Sequence, residues 1–184
     1  MGDYDFWGHG DIDVIYGNIR NFISVEMLDE HEMITARHDF LSGTFTLFKN
    51  NDKINTLFMQ SKDYKKVFSS TLHYCFDECN FLWNQIGELK RKRTIFDLSC
   101  EIESMTHVVR KLQSVNKLKV FFDFMIVEGT PGHLKWVEGK LIFKNKFEAL
   151  LYHLIKFKKE NKPSKIYKPM PEIFKISPAK IYVD

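Results

Sequence analysis

The run Trp7-Gly8-His9-Gly10-Asp11-Ile12-Asp13 constrains this chain more than any other. It sets two carboxylates two residues apart, beside glycines and aromatics, and leads into the apolar stretch Val14-Ile15-Tyr16. In an extended segment, residues i and i+2 point to the same side. Asp11 and Asp13 then converge on one point and can share a hard divalent cation, which takes oxygen ligands. In a helix the same two side chains would diverge by about 200°. The acid pair therefore belongs in a loop, with Gly8 and Gly10 making room. The apolar positions Ile12, Ile15, Ile19, Phe22 and Ile23 suggest that a helix or helical turn follows within residues 11–24.

Bulk properties narrow the setting. The 184 residues suffice for a domain with a genuine core, and a 44% hydrophobic, 15% aromatic composition excludes a disordered chain. No apolar run approaches a membrane span. The N-terminus lacks a basic-then-apolar signal pattern, which makes a cytoplasmic protein the expectation. Net charge is only +3. Lysines nevertheless crowd one C-terminal stretch (Lys156, Lys158, Lys159, Lys162, Lys165, Lys168), and Lys90, Arg91, Lys92 and Arg93 form a second cluster. These read as solvated faces, or as surfaces for an anionic membrane or a phosphate-bearing substrate. His73, Cys75 and Cys79 are close in sequence but match no standard zinc spacing, and reduced, buried cysteines are the simpler reading.

Local patterns give a coarse map. Residues 5–9 read as the end of a strand, Met33–Ala36 as a short strand, and Thr44–Phe48 as another. Asn50-Asn51-Asp52 is a stop that can cap a helix running from Asn55 to Ser69. Asp77–Leu89 reads as a helix and Lys119–Val127 as one strand. Residues 129–132 read as a turn or loop, and Trp136–Phe143 as a hairpin around Glu138-Gly139. Residues 147–157 fit either a buried strand or a helix. The Pro-containing tail reads as irregular, packed through Ile166, Tyr167, Phe174 and Ile176. The fold class is α/β or α+β.

Residues 4–20, Tyr4-Asp5-Phe6-Trp7-Gly8-His9-Gly10-Asp11-Ile12-Asp13-Val14-Ile15-Tyr16-Gly17-Asn18-Ile19-Arg20, resemble the WG-x-x-D-x-D block of a group of bacterial GT-A-like glycosyltransferases of surface-polysaccharide and lipopolysaccharide synthesis. Ser42–Asn50 is similar to that group's GxFTLYRN block, Phe76-Asp77-Glu78 to its FDE element, and Trp136–Leu141 with Tyr152-His153-Leu154 to its C-terminal segment. The matches keep the family's order from residue 4 to about 159. Two departures stand out. Thr44 occupies the place where the second block commonly carries histidine, and the first nucleotide-binding strands do not precede the acid pair. The resemblance therefore implies the C-terminal portion of a GT-A-like mixed sheet with flanking helices, a partial catalytic domain over residues 1–160 and a basic tail over 161–184.

The resemblance also implies roles. Asp13 would ligate Mn²⁺ or Mg²⁺, Asp11 would contact the metal or the nucleotide ribose, and His153 would complete the metal site. A satisfied histidine in an apolar strand is the other reading of His153. Asp77 and Glu78 would lie on the acceptor side, where an acid can act as general base, although acids also favour helix N-termini through the dipole. Ser42 and Gly43 would line the sugar pocket, and Trp7 would stack on the sugar or belong to the core. The implied partners are a nucleotide-sugar donor and a saccharide or lipid-linked acceptor, with peripheral association at the inner membrane surface and no nucleic acid. A catalytically silent remnant of the same fold is the alternative. A nucleic-acid-binding domain is a third reading, without a recognition motif to support it.

Overall fold

A computed structural model of the chain describes residues 2–38, 41–69, 105–128, 133–155, 171–176 and 181–183. The described residues are mixed α/β, with short strands dominating and few helices. None of their helices is long and apolar enough to cross a membrane. The chain divides into two compact units: Met1–Gly10 with Leu28–Phe122, and Asp11–Met27 with Asp123–Asp184.

The first unit is built on a four-stranded sheet ordered β1-β4-β3-β5, comprising β1 (Phe6–His9), β3 (Met33–Thr35), β4 (Thr46–Lys49) and β5 (Val120–Phe122). The pairs β1–β4 and β3–β4 are antiparallel, while β3–β5 is parallel. Gly8 is required at the β1–β4 seam: a Cβ there would meet Leu47 Cδ2 at 2.6 Å and the Thr46 carbonyl oxygen at 2.7 Å. After β4, Asn51 caps α2 (Asp52–Asn55), its side chain accepting from Ile54 N at 2.9 Å. The helix expected over Asn55–Ser69 is instead three short pieces: the end of α2, a 3₁₀ turn (Leu57–Gln60) and α3 (Tyr64–Ser69). Thr56 explains part of the break, since its hydroxyl bonds back to Asp52 O at 2.6 Å and competes with helical continuation. Helix α4 (Met105–Ser114) lies where sequence reading placed no element. Its Met105, Val108 and Val109 join Met33, Ile54, Leu57, Leu118 and Val120 in one buried cluster.

In the second unit, β2 (Val14–Tyr16), β10 (Leu151–His153) and β6 (Ile126–Glu128) form a three-stranded sheet with β10 in the centre. A five-stranded sheet is ordered β12-β11-β7-β8-β9, from β7 (Leu134–Val137), β8 (Lys140–Phe143), β9 (Phe147–Ala149), β11 (Ile173–Ile176) and β12 (Ile181–Tyr182). Val127, Leu134, Leu141, Ala149, Tyr152, Phe174 and Ile176 form its core. The β7–β8 hairpin turns at Glu138 and Gly139, both at positive φ (47° and 83°), as the Glu-Gly pair suggests. Residues 147–153 resolve as two strands, β9 and β10, with Leu150 at the switch between sheets.

Three expectations are corrected here. Residues 14–16 are a strand rather than helix, because Val14, Ile15 and Tyr16 pair with β10; helical geometry is limited to a 3₁₀ turn at Ile19–Asn21 and α1 (Val25–Glu30). The single strand expected over Lys119–Val127 is two strands, β5 and β6, in different units. Asp123, at φ 107°, breaks it in a conformation that extended pairing does not tolerate. The tail is not wholly irregular: β11 and β12 extend the five-stranded sheet, and Phe174 and Ile176 are buried in its core.

Candidate metal centre

Central strand β10 ends on His153, and each neighbouring strand delivers acids to it. Val14 of β2 pairs with His153 across the antiparallel ladder. The chain just before Val14 is a turn, pinned to β10 by Leu154 N donating to Asp13 O at 2.9 Å. That turn carries the acid pair. On the other side, Glu128 of β6 is in parallel register with His153. Gly17, directly after β2, lets the chain pass close to β8 and β9: a Cβ there would meet Ala149 O at 2.6 Å and Leu141 Cβ at 3.1 Å. Its N–H donates to Leu150 O at 2.9 Å.

The resulting geometry is compact. His153 Nε2 lies 3.5 Å from Asp11 Oδ2 and 3.4 Å from Asp13 Oδ2, while Nδ1 lies 3.3 Å from Glu128 Oε1. Asp13 Oδ2 is itself shut off from solvent. Ile12, between the two acids, projects fully into solvent. A turn at Ile12 and Asp13, rather than the extended segment expected, brings the two carboxylates together.

One ligand atom from each of Asp11, Asp13 and His153 lies within 4.8 Å of the others. Ligands about 2.1 Å from a six-coordinate ion are roughly 3 Å apart when adjacent and roughly 4.2 Å apart when opposite. The donor set therefore fits a divalent cation with little contraction. Two carboxylates and one imidazole suit Mn²⁺, and the carboxylates suit Mg²⁺.

The electrostatics favour positive charge at this point. Burial alone would lower the pKa of His153. The hydrogen bond with Glu128 and the charges of Asp13, Asp11 and Glu128 outweigh it and hold the imidazole above its usual value. Burial, and then the Asp11 charge, raise the phenol of Tyr16.

Trp7, Ser42 and Gly43 belong to the first unit. Trp7 stacks on Phe48 with centroids 4.4 Å apart, and its indole N–H donates to Asn55 Oδ1 at 2.8 Å. Ser42 is buried, with its hydroxyl against that of Thr44 and its carbonyl accepting from Thr46 Oγ1 at 2.7 Å. Gly43 O lies 3.3 Å from His9 Nδ1. Asp77 and Glu78, the cysteines and both basic clusters lie outside the described residues.

Glu128 is the site residue that sequence reading missed. A faint signal existed, an acid closing an apolar strand before a Gly-containing turn, but its pairing with a histidine 25 positions away is a property of register.

No curated protein and no solved structure matches the chain. A family model described as "Family of unknown function (DUF6625)" matches residues 1–184, and the chain belongs to that family.

Proposed function

We propose that this chain is a metal-dependent glycosyltransferase of GT-A type, or the catalytic portion of one. It would take a nucleotide-sugar donor and transfer the sugar to a saccharide or lipid-linked acceptor. The convergence of Asp11, Asp13 and His153 on one point carries the reading, because the sequence resemblance assigns metal-binding roles to the same three residues.

Asp11, Asp13 and His153 are the residues that would hold Mn²⁺ or Mg²⁺. When bound, such an ion supplies Lewis-acid neutralisation of the charge that builds on a departing diphosphate. The chain's own contribution is preorganisation. The β2–β10 ladder sets Val14 opposite His153, Leu154 N holds the carbonyl of the adjoining Asp13, and the turn at Ile12 brings both carboxylates together. Asp11, more exposed than Asp13 (28% against 15% of the side chain), is the acid better placed to reach a ribose hydroxyl as well. The acceptor-side base falls to Asp77 or Glu78 on the resemblance.

Calorimetry on the full chain tests this reading. Mn²⁺ is expected to bind, a nucleoside diphosphate to bind only when Mn²⁺ is present, and Asp13→Ala to lose both. A well-folded chain that binds no divalent cation refutes the proposal. A chain that binds metal and nucleotide but neither hydrolyses nor transfers from any nucleotide-sugar would be a binding module of the same architecture.

A further inference from the structure

We propose that Glu128 is a positioning residue, whose carboxylate fixes the ring orientation and tautomer of His153 so that Nε2 faces the acid pair. This inference rests on the metal-binding reading above and adds a residue to it.

The two ring nitrogens of His153 have divided surroundings. Nδ1 faces Glu128 Oε1 at 3.3 Å, and Nε2 faces Asp11 and Asp13 at 3.5 and 3.4 Å. A neutral imidazole has one N–H and one lone pair. Carboxylates face both ring nitrogens and only accept, but the Glu128 contact is the shortest of the three and has hydrogen-bond geometry, so it favours the Nδ1–H tautomer over the two longer contacts at Nε2. The lone pair is left on Nε2, pointing between the two aspartates. An imidazole without such a partner rotates about two bonds and divides its proton between both nitrogens. Each alternative removes a ligand from the site. Histidines that ligate metals commonly donate the second N–H to a carboxylate or carbonyl, and losing that partner typically costs 10- to 100-fold in metal affinity.

The backbone makes this contact a consequence of the fold. Glu128 and His153 are register partners on adjacent parallel strands, so their side chains emerge on the same face. Glu128 is the last residue of β6, and His153 the last of β10. Its side chain remains 27% exposed, so its placement is not forced by core packing.

Two variants and two readouts test the proposal in the full chain. Glu128→Ala is expected to weaken Mn²⁺ binding 10- to 100-fold, measured from the free-Mn²⁺ resonance signal. Glu128→Gln keeps an acceptor oxygen at the same reach and is expected to stay within about threefold of wild type. Long-range proton–nitrogen NMR of the metal-free protein, above the His153 pKa, is expected to show the Nδ1–H tautomer in wild type and Glu128→Gln, and the Nε2–H tautomer in Glu128→Ala. Unchanged Mn²⁺ affinity in Glu128→Ala, with Asp13→Ala still abolishing binding, overturns the role of Glu128 and leaves the metal site standing. Equal losses in the Ala and Gln variants overturn it in favour of simple charge. A wild-type chain that binds no Mn²⁺ overturns both readings, and the tautomer measurement then reports whether the Glu128–His153 contact exists at all.

Discussion

Val14 and His153 stand opposite one another in the β2–β10 ladder, and Asp13 is therefore the next residue along, with its carbonyl held by Leu154 N. The site depends on this register. Side chains alternate along a strand, so a slip of one residue would turn His153 away from the acid pair and place Tyr152, now fully buried, in its position.

Gly17 guards that register from the end of β2. A Cβ at this position collides with the Ala149 carbonyl oxygen at 2.6 Å, which is backbone and cannot swing aside. Gly17→Val is expected to cost about 1–3 kcal/mol, as overpacking does, and to weaken Mn²⁺ binding, although Gly17 is not a ligand. Urea unfolding with paired metal titration checks both. Wild-type stability in the variant would mean that the chain after β2 leaves room for a side chain beside the Ala149 carbonyl.

Ile12 offers the converse case. Its side chain is fully exposed between two acids that point the other way. Ile12→Ala is expected to change stability by no more than about 0.5 kcal/mol, as at other open surface positions, and to leave Mn²⁺ affinity within about twofold. A large loss of affinity would show that Ile12 packs where the metal ligands need support.

Much of this arrangement was legible in the sequence wherever the cause was local. The Asn51 cap and the Glu138-Gly139 turn each rest on one or two residues whose chemistry selects a backbone shape. Those features appear where expected. What sequence reading missed was decided by partners distant in the chain. Val14-Ile15-Tyr16 carries apolar spacing that also suits a helix, and only pairing with Leu151–His153 makes it a strand. The run 119–127 is uniformly apolar and aromatic, but Asp123 divides it between two units, and no spacing rule announces a positive φ at an aspartate. Glu128 joined the site through register alone.

The Asn51 cap can be measured directly. Its side-chain oxygen accepts from Ile54 N, and Asn51 N donates to Lys49 O at 3.0 Å as the chain leaves β4. Ile54, which the cap positions, is buried in the first unit's core. Asn51→Ala is expected to destabilise by about 0.5–2 kcal/mol, whereas Asn51→Asp or Asn51→Ser should retain most of that stability. Chemical denaturation of the three variants decides the point, and equal losses in all three would assign the effect to something other than the cap.

The raised pKa of His153 gives metal-free and metal-loaded chains opposite responses to pH. In the metal-free chain the proton on His153 is favoured by folding, because burial, which opposes it, is outweighed by Glu128, Asp13 and Asp11. A group whose folded pKa lies above its unfolded value stabilises fully below the unfolded value, about 6.5 for histidine, and loses that contribution as pH rises through the folded value. Metal ligation demands the neutral imidazole, so each Mn²⁺ must displace that proton, and affinity rises over the same window. Thermal midpoints of wild type and His153→Asn, recorded from about pH 5.5 to about pH 8.5 with and without Mn²⁺, isolate the effect. Without metal, the wild-type advantage over His153→Asn is expected to shrink as pH rises. With Mn²⁺ it is expected to grow, through stabilisation by a ligand that binds only the folded chain. An Mn²⁺-induced shift that does not vary with pH would mean that His153 carries no proton for the metal to displace, and an advantage that grows with pH in the metal-free chain would mean that burial, not the three acids, governs the imidazole.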